Sequence, residues 1–286
     1  MKTIYNVVDR SMGGPGSHTV AGQIPDLVEW NWEYDPTYET FFVNWDVLHP
    51  VTERIIGYAL LYESKSLMPM VYEQIEKNLD RFKLVFTPDS YLVEKYPHKC
   101  KWIPAGGIWV GGSYGEGEIK IHEKSKMISQ VSSTKESCPL HAYRYNLAKY
   151  LRDNSKVVDV TIGENCDPDL GWKPICHSLH DYRFSIVVEN IIDKWNFCES
   201  LSNCFATGTI PIYYGATELD KYFNMDGVIL INDMSKEEVL DLTNSLTVND
   251  YTDKIDAIKE NFEIVKQFRT LEDYVQSNYL AKMVSV

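Results

Sequence analysis

Apolar residues fall along this chain in short uncharged runs separated by segments with helical spacing, and that alternation sets the first expectation for the fold. Ile4–Val8, Thr40–Asn44, Arg54–Leu61 and Leu84–Phe86 read as strands, with a helix over Pro69–Phe82 ahead of the last of them. Beyond residue 126 the rhythm resumes, with Met127–Val131 as a strand, Ser132–Pro139 as a polar loop, His141–Leu151 as a helix and Val157–Ile162 as a strand. Helix patterns close the chain, starting near Ser235, Thr252 and Thr270, and Ser235 with Glu238 and Thr270 with Asp273 have capping-box spacing. Strands that alternate with helices imply an α/β protein with parallel sheets. Residues 111–126, GGSYGEGEIKIHEKSK, are glycine-rich, charged and poor in apolar side chains, the composition of a linker. We therefore expect two α/β domains, residues 1–118 and 119–286.

The most informative stretch is Tyr182 to Gly215. Phe184–Val188 is uncharged and mostly apolar, the pattern of a strand buried on both faces, and it ends on Glu189 and Asn190. Phe197, Leu201, Cys204 and Phe205 then recur at helical spacing, Gly208 offers a helix stop, and Ile210–Tyr214 reads as the next strand. In such units ligands sit at the carboxyl ends of strands, beside helix N-termini, which is where Glu189, Asn190, Asn196 and Glu199 fall. Asn196 and Glu199 also have the spacing of a capping box, so their pattern alone fits a helix cap as well as a ligand contact. Glu189 is harder to assign to structure, because a carboxylate directly after an apolar strand must be solvated, paired or used.

The runs F-S-I-V-V-E-N, E-S-L-S-N and G-T-I-P-I-Y-Y-G closely resemble the donor-binding signature of glycosyltransferase family 10, the α-1,3-fucosyltransferases. The resemblance implies a GT-B fold, two Rossmann-like domains facing an interdomain cleft, and inverting transfer of fucose from GDP-fucose to a glycan or other hydroxyl acceptor. It extends to Y-E-S at Glu63, which resembles the segment carrying the family's base, and to F-T-P-D-S-Y-L, where Asp89 is the reserve for that role and also a good helix N-cap. VSSTKESCPLHAYRY resembles the family's basic donor-binding segment and places its arginine on His141, with Arg144 one turn along. Glu199 is implied to bind the donor ribose and Asn190 to contact the donor; Arg183 and Lys194 are further candidates for leaving-group charge. Where the family has a tyrosine and a lysine, this chain has Asn196 and Ser200. A different nucleotide sugar, or a sugar- or nucleotide-binding descendant without turnover, therefore stands as the alternative.

Composition narrows the partners. A formal charge of −13 argues against nucleic acid, which needs a basic surface. No apolar run approaches a bilayer span and the first residues lack a signal-peptide core, so we expect a soluble, cytoplasmic protein without a transmembrane segment. Six scattered cysteines without CxxC spacing fit reduced thiols rather than zinc. MGGPGSHT lacks the Lys-Ser or Lys-Thr of a phosphate loop, and Asp167-Pro168-Asp169, a D-x-D triplet, reads as a surface turn. We expect neither a metal nor a cofactor besides the nucleotide-sugar donor.

Overall fold

The computed structural model describes residues 1–9, 22–48, 55–163 and 173–281. The glycine-rich MGGPGSHT segment, the Asp167-Pro168-Asp169 triplet and the start of the Arg54–Leu61 run lie outside them. The apolar runs form two separate sheets. The first comprises β1 (Thr3–Val8), β2 (Val28–Asn31), β3 (Thr40–Val43), β4 (Gly57–Leu60), β5 (Phe82–Thr87) and β6 (Cys100–Trp102), in the order β2-β1-β3-β4-β5-β6. The second comprises β7 (Lys126–Ser132), β8 (Val158–Ile162), β9 (Tyr182–Val188), β10 (Ile210–Tyr214) and β11 (Ile229–Leu230), in the order β11-β10-β9-β7-β8. Strand pairing is parallel throughout. Parallel neighbours need crossovers, so both faces of each sheet are covered. This is the α/β architecture of two parallel-sheet domains expected from the sequence.

Burial explains why these runs become strands. All four residues of β3 and of β4 are buried. Phe41, Tyr58 and Leu60 face one core, while Phe42, Ala59 and Leu61 face the other, where they meet Val71 and Ile75 of α1 (Pro69–Lys77). The helix expected over Pro69–Phe82 ends early. Asn78 leaves helical geometry, a 3-10 turn follows at Leu79–Arg81, and Phe82 begins β5. The remaining helices are α2 (Ser90–Lys95), α3 (Pro139–Asn154), α4 (Glu199–Thr207), α5 (Lys236–Ser245), α6 (Val248–Thr252), α7 (Ile255–Val265) and α8 (Leu271–Val275). Ser235 and Thr270 cap α5 and α8 as their spacing suggested. The helix expected to start near Thr252 is α7, from Ile255, and a short helix the pattern did not show, α6, precedes it behind a Thr247–Asp250 capping box.

The chain returns to its first sheet at the end. Leu271, Val275 and Leu280 pack among Tyr5, Phe41, Tyr58 and Phe86. Asp273 accepts from the backbone N–H groups of Asp26 and Leu27, each at 2.8 Å, and the Tyr279 hydroxyl donates to the Trp102 carbonyl at 2.6 Å. A second junction is aromatic. Trp102, at the end of the first sheet, stacks on Tyr222 at 4.1 Å and contacts Phe197 and Phe268. Among the described residues no helix is long and apolar enough to cross a membrane.

The linker is anchored by a buried lysine. Lys124 Nζ donates to the carbonyls of Leu179, His180 and Thr207 and to Thr209 Oγ1, at 2.8–3.0 Å. Burial pushes its pKa down to about 7, opposed by Cys204 and Asp181. An unfolded lysine keeps its proton to about pH 10. Between those values the unfolded chain holds more protons, so this group makes stability rise with pH. Lys124→Met removes the donor these four acceptors share, although the Leu179 and Thr207 carbonyls keep the Tyr182 and His122 N–H groups, and is expected to cost about 2 kcal/mol. Thermal melting from pH 7 to 10 should also show a shallower rise in the variant than in the parent.

Candidate active site

Glu189 follows a strand whose last five residues are buried, and it is itself buried. Its backbone N–H continues the ladder to the Tyr214 carbonyl, which turns its side chain inward against α4. Both carboxylate oxygens accept from the Cys198 N–H at 3.2 Å, so Glu189 supplies the anion that the orphan amides of a helix N-terminus favour. Burial raises its pKa, while Cys198, the Tyr213 hydroxyl and Arg144 oppose that rise. A Cβ on Gly215 would lie 2.2 Å from Glu189 Cγ, so the glycine closing the motif makes room for the carboxylate.

Of the two readings open for Asn196 and Glu199, the helix cap does not form. Cys198 holds the N-cap position without a side-chain cap bond, Asn196 is buried, and Glu189 satisfies this end from outside the helix. Glu199 is the first helical residue. It is partly exposed. Burial raises its pKa and Glu189 adds to the effect, against its own backbone N–H and Arg144. Gly106, from the loop after β6, sits so close that a Cβ there would be 3.3 Å from Glu199 Oε2. Ser200 follows in the same turn, partly exposed.

α3 brings His141 and Arg144 to this end of β9. Pro139 starts this helix, and its first two turns carry His141 and Arg144. Arg144 Nη1 donates to the Val188 carbonyl at 3.0 Å, which places the guanidinium at the carboxyl end of β9. His141 Nδ1, Arg144 Nε and Asn190 Oδ1 are buried without a hydrogen-bond partner. Burial and then Arg144 lower the His141 pKa; the Asn190 side chain is near enough to oppose this, though no hydrogen bond of normal geometry joins the two.

Glu63 comes from the other domain, just past β4. The Tyr72 hydroxyl donates to its carbonyl at 2.7 Å. Burial pushes the Glu63 pKa up to about 7, the Glu199 charge adds to this, and Lys135 opposes it. The two glutamates are thus electrostatic neighbours across the cleft. A carboxyl group whose proton affinity lies near neutrality is suited to exchange protons with a hydroxyl. Asp89 is occupied otherwise, because it is buried and caps α2 by accepting from the Leu92 N–H at 2.8 Å.

Two of the suggested cations stand elsewhere. Arg183 lies near the amino end of β9 and donates to the Lys126 carbonyl at 3.1 Å, because its position in the strand puts it on the edge away from the cleft. Lys194 pairs with Glu94 near the surface. Other residues went unnoticed in the sequence. Ser66 Oγ donates to the Asn190 carbonyl at 2.8 Å, and Ser90 Oγ to Asp193 Oδ2 at 2.8 Å, which ties both sides of the cleft together. These contacts span more than 100 residues, and no local pattern marks them. Among the described residues no group of three or more His, Cys, Asp or Glu side chains could hold a metal ion.

Comparison with solved structures places the fold in a known architecture. An α1,3-fucosyltransferase is similar to the chain with a TM-score of 0.55 and 13% identity, over 96% of this chain and 90% of that one. The HepE protein of Anabaena, solved with UDP and glucose, gives 0.57 at 10% identity with both chains fully covered. The BGT protein of phage T4, solved with its UDP-glucose substrate, gives 0.50 at 12% identity, again with full coverage. No protein-family model matches the chain, and no curated protein matches it in sequence. The fold is GT-B.

The site makes a prediction about stability. An unfolded glutamate ionises near pH 4.3, whereas Glu63 holds its proton to about 7, so stability falls with pH across that window. Glu63→Gln removes the ionisation. Its melting temperature should match the parent near pH 4.5 and rise above it by pH 8.

Proposed function

We propose that the protein is a glycosyltransferase that holds a nucleotide-sugar donor on its second domain and uses Glu63 of the first as base. The observation that carries this reading is the set of buried, unpartnered polar atoms on His141, Arg144 and Asn190. They stand beside Glu199 at the carboxyl end of β9, opposite a glutamate whose pKa lies near 7. Unsatisfied buried polar atoms cost free energy, and the position of these three where a parallel α/β sheet binds ligands supports a polar ligand as their partner.

In the reaction, Glu63 takes the proton of the acceptor hydroxyl as that oxygen bonds to the anomeric carbon. The bond from that carbon to the donor phosphate breaks on the opposite face, and the nucleotide leaves with the electron pair. One displacement inverts the anomeric centre. Arg144 faces the negative charge on the leaving group, and Glu199 accepts hydrogen bonds from the ribose hydroxyls. The acceptor is a carbohydrate or another hydroxyl compound.

The donor we propose is GDP-fucose. A second reading, another nucleotide sugar, is favoured by Asn196 in place of a tyrosine and by Ser200, which leaves the first turn of α4 without a lysine cation. Calorimetric titration with GDP, UDP, CMP and dTDP separates the two. With the preferred nucleotide sugar, Glu63→Gln should lower kcat at least a hundredfold and leave nucleotide affinity within about twofold. Activity of the parent should rise with pH through about 7, as the base deprotonates. No turnover with any nucleotide sugar would leave a binding protein. Glu199→Ala should weaken nucleotide binding about tenfold while the fold persists, the loss of a hydrogen bond to a charged group. Ser200→Lys should tighten GDP by about tenfold or more if the pocket is one for GDP-fucose, and unchanged or weaker GDP binding would count against that donor.

A further inference from the structure

Glu63 lies beyond the end of β4, where no strand ladder positions it. Its backbone is instead held by side chains. On one side the Tyr72 hydroxyl donates to its carbonyl. On the other, the Glu63 N–H donates to Asn44 Oδ1 at 3.4 Å, and the Tyr62 N–H donates to the same oxygen at 3.1 Å. Asn44 directly follows β3, the neighbour of β4, and is buried. Its φ is +47°, in the left-handed region that side chains seldom adopt and asparagine tolerates best after glycine. At this turn β3 ends and its last side chain is carried sideways to the end of β4. A strained backbone kept at a buried position, with its side chain bonded to the residue opposite the donor site, is a feature expected at functional sites.

We infer that Asn44 is the positioning residue for the base, its amide oxygen fixing the main chain of Tyr62 and Glu63 so that the Glu63 carboxylate stays in the cleft opposite Glu199. The inference builds on the reading of Glu63 as base, and its test includes a measurement that needs no turnover. Asn44→Gly keeps the left-handed backbone and deletes the oxygen; Asn44→Asp keeps both the conformation and an acceptor. In protein labelled at the glutamate carboxyl carbons, with the Glu63 resonance assigned through Glu63→Gln, NMR titration reads the Glu63 pKa directly. In Asn44→Gly the carboxylate is expected to swing towards water, away from Glu199 and Lys135, and its pKa to fall by at least one unit. In Asn44→Asp it should stay at or above the parent value, because the acceptor is retained and a negative charge is added. Turnover should fall at least tenfold in Asn44→Gly, with nucleotide affinity within twofold of the parent.

An unchanged Glu63 titration in folded Asn44→Gly overturns the inference, and so does a lowered pKa in Asn44→Asp. If Asn44→Gly does not fold, the Asp variant decides alone. Absence of turnover in the parent, together with the expected titration shifts, would defeat the glycosyltransferase reading and leave the positioning role standing.

Discussion

A carboxylate out of water must find donors, and the placement of Glu189 follows from that need. Its donor is the Cys198 N–H, at the start of α4, so the end of β9 and the start of α4 cannot drift apart without stranding a charge or forcing it to take a proton. Gly215 is required on the adjoining strand end because any side chain there would occupy the carboxylate's place. Arg144 reaches the same spot from α3 through the Val188 carbonyl. Strand, helix, neighbouring strand and the helix behind are thus all referenced to one buried group. Glu199 inherits its place at the cleft from this arrangement.

The cleft is a site of competing negative charge. Burial raises the pKa of Glu63, Glu189 and Glu199; Glu189 adds to the rise at Glu199, and Glu199 to that at Glu63. Arg144 draws both Glu189 and Glu199 down, and Lys135 does so for Glu63. Protons on the three are therefore shared properties of the cluster. An anion entering the cleft raises every carboxyl pKa further, so its binding is linked to proton uptake.

Local pattern and long-range contact divide what could be read from the chain. The unit from Tyr182 to Tyr214 was legible, because a doubly buried strand, a helical apolar stripe and a glycine at φ +71° each leave a local trace. The short strands at the sheet edges, Val28–Asn31, Cys100–Trp102 and Ile229–Leu230, were not legible. Two to four residues carry no measurable period, and their pairing comes from the neighbouring strand. The Pro69–Phe82 helix was drawn too long because Phe82 suits a helix face and a strand equally. Glu63 stood out through the resemblance of Y-E-S, and Glu199 by its place at the start of a helical stripe after a buried strand. Of the two readings the spacing left open for Asn196, the cap fell to Glu189, nine residues before Cys198, a contact that no local spacing marks. Asn44 looked like the end of a strand because its partners lie 18 and 19 residues away.

The return of residues 271–280 to the first sheet bears on how the protein is made. During synthesis the strands of that sheet leave the ribosome well before the segment that covers Tyr5, Phe41 and Phe86. The second sheet and its helices are translated in the interval, so they can form around their own core while one face of the earlier domain is still bare. An N-terminal domain usually completes its folding first. Here one aromatic face of that domain has no cover from Leu271, Val275 and Leu280 until the whole second sheet has been translated.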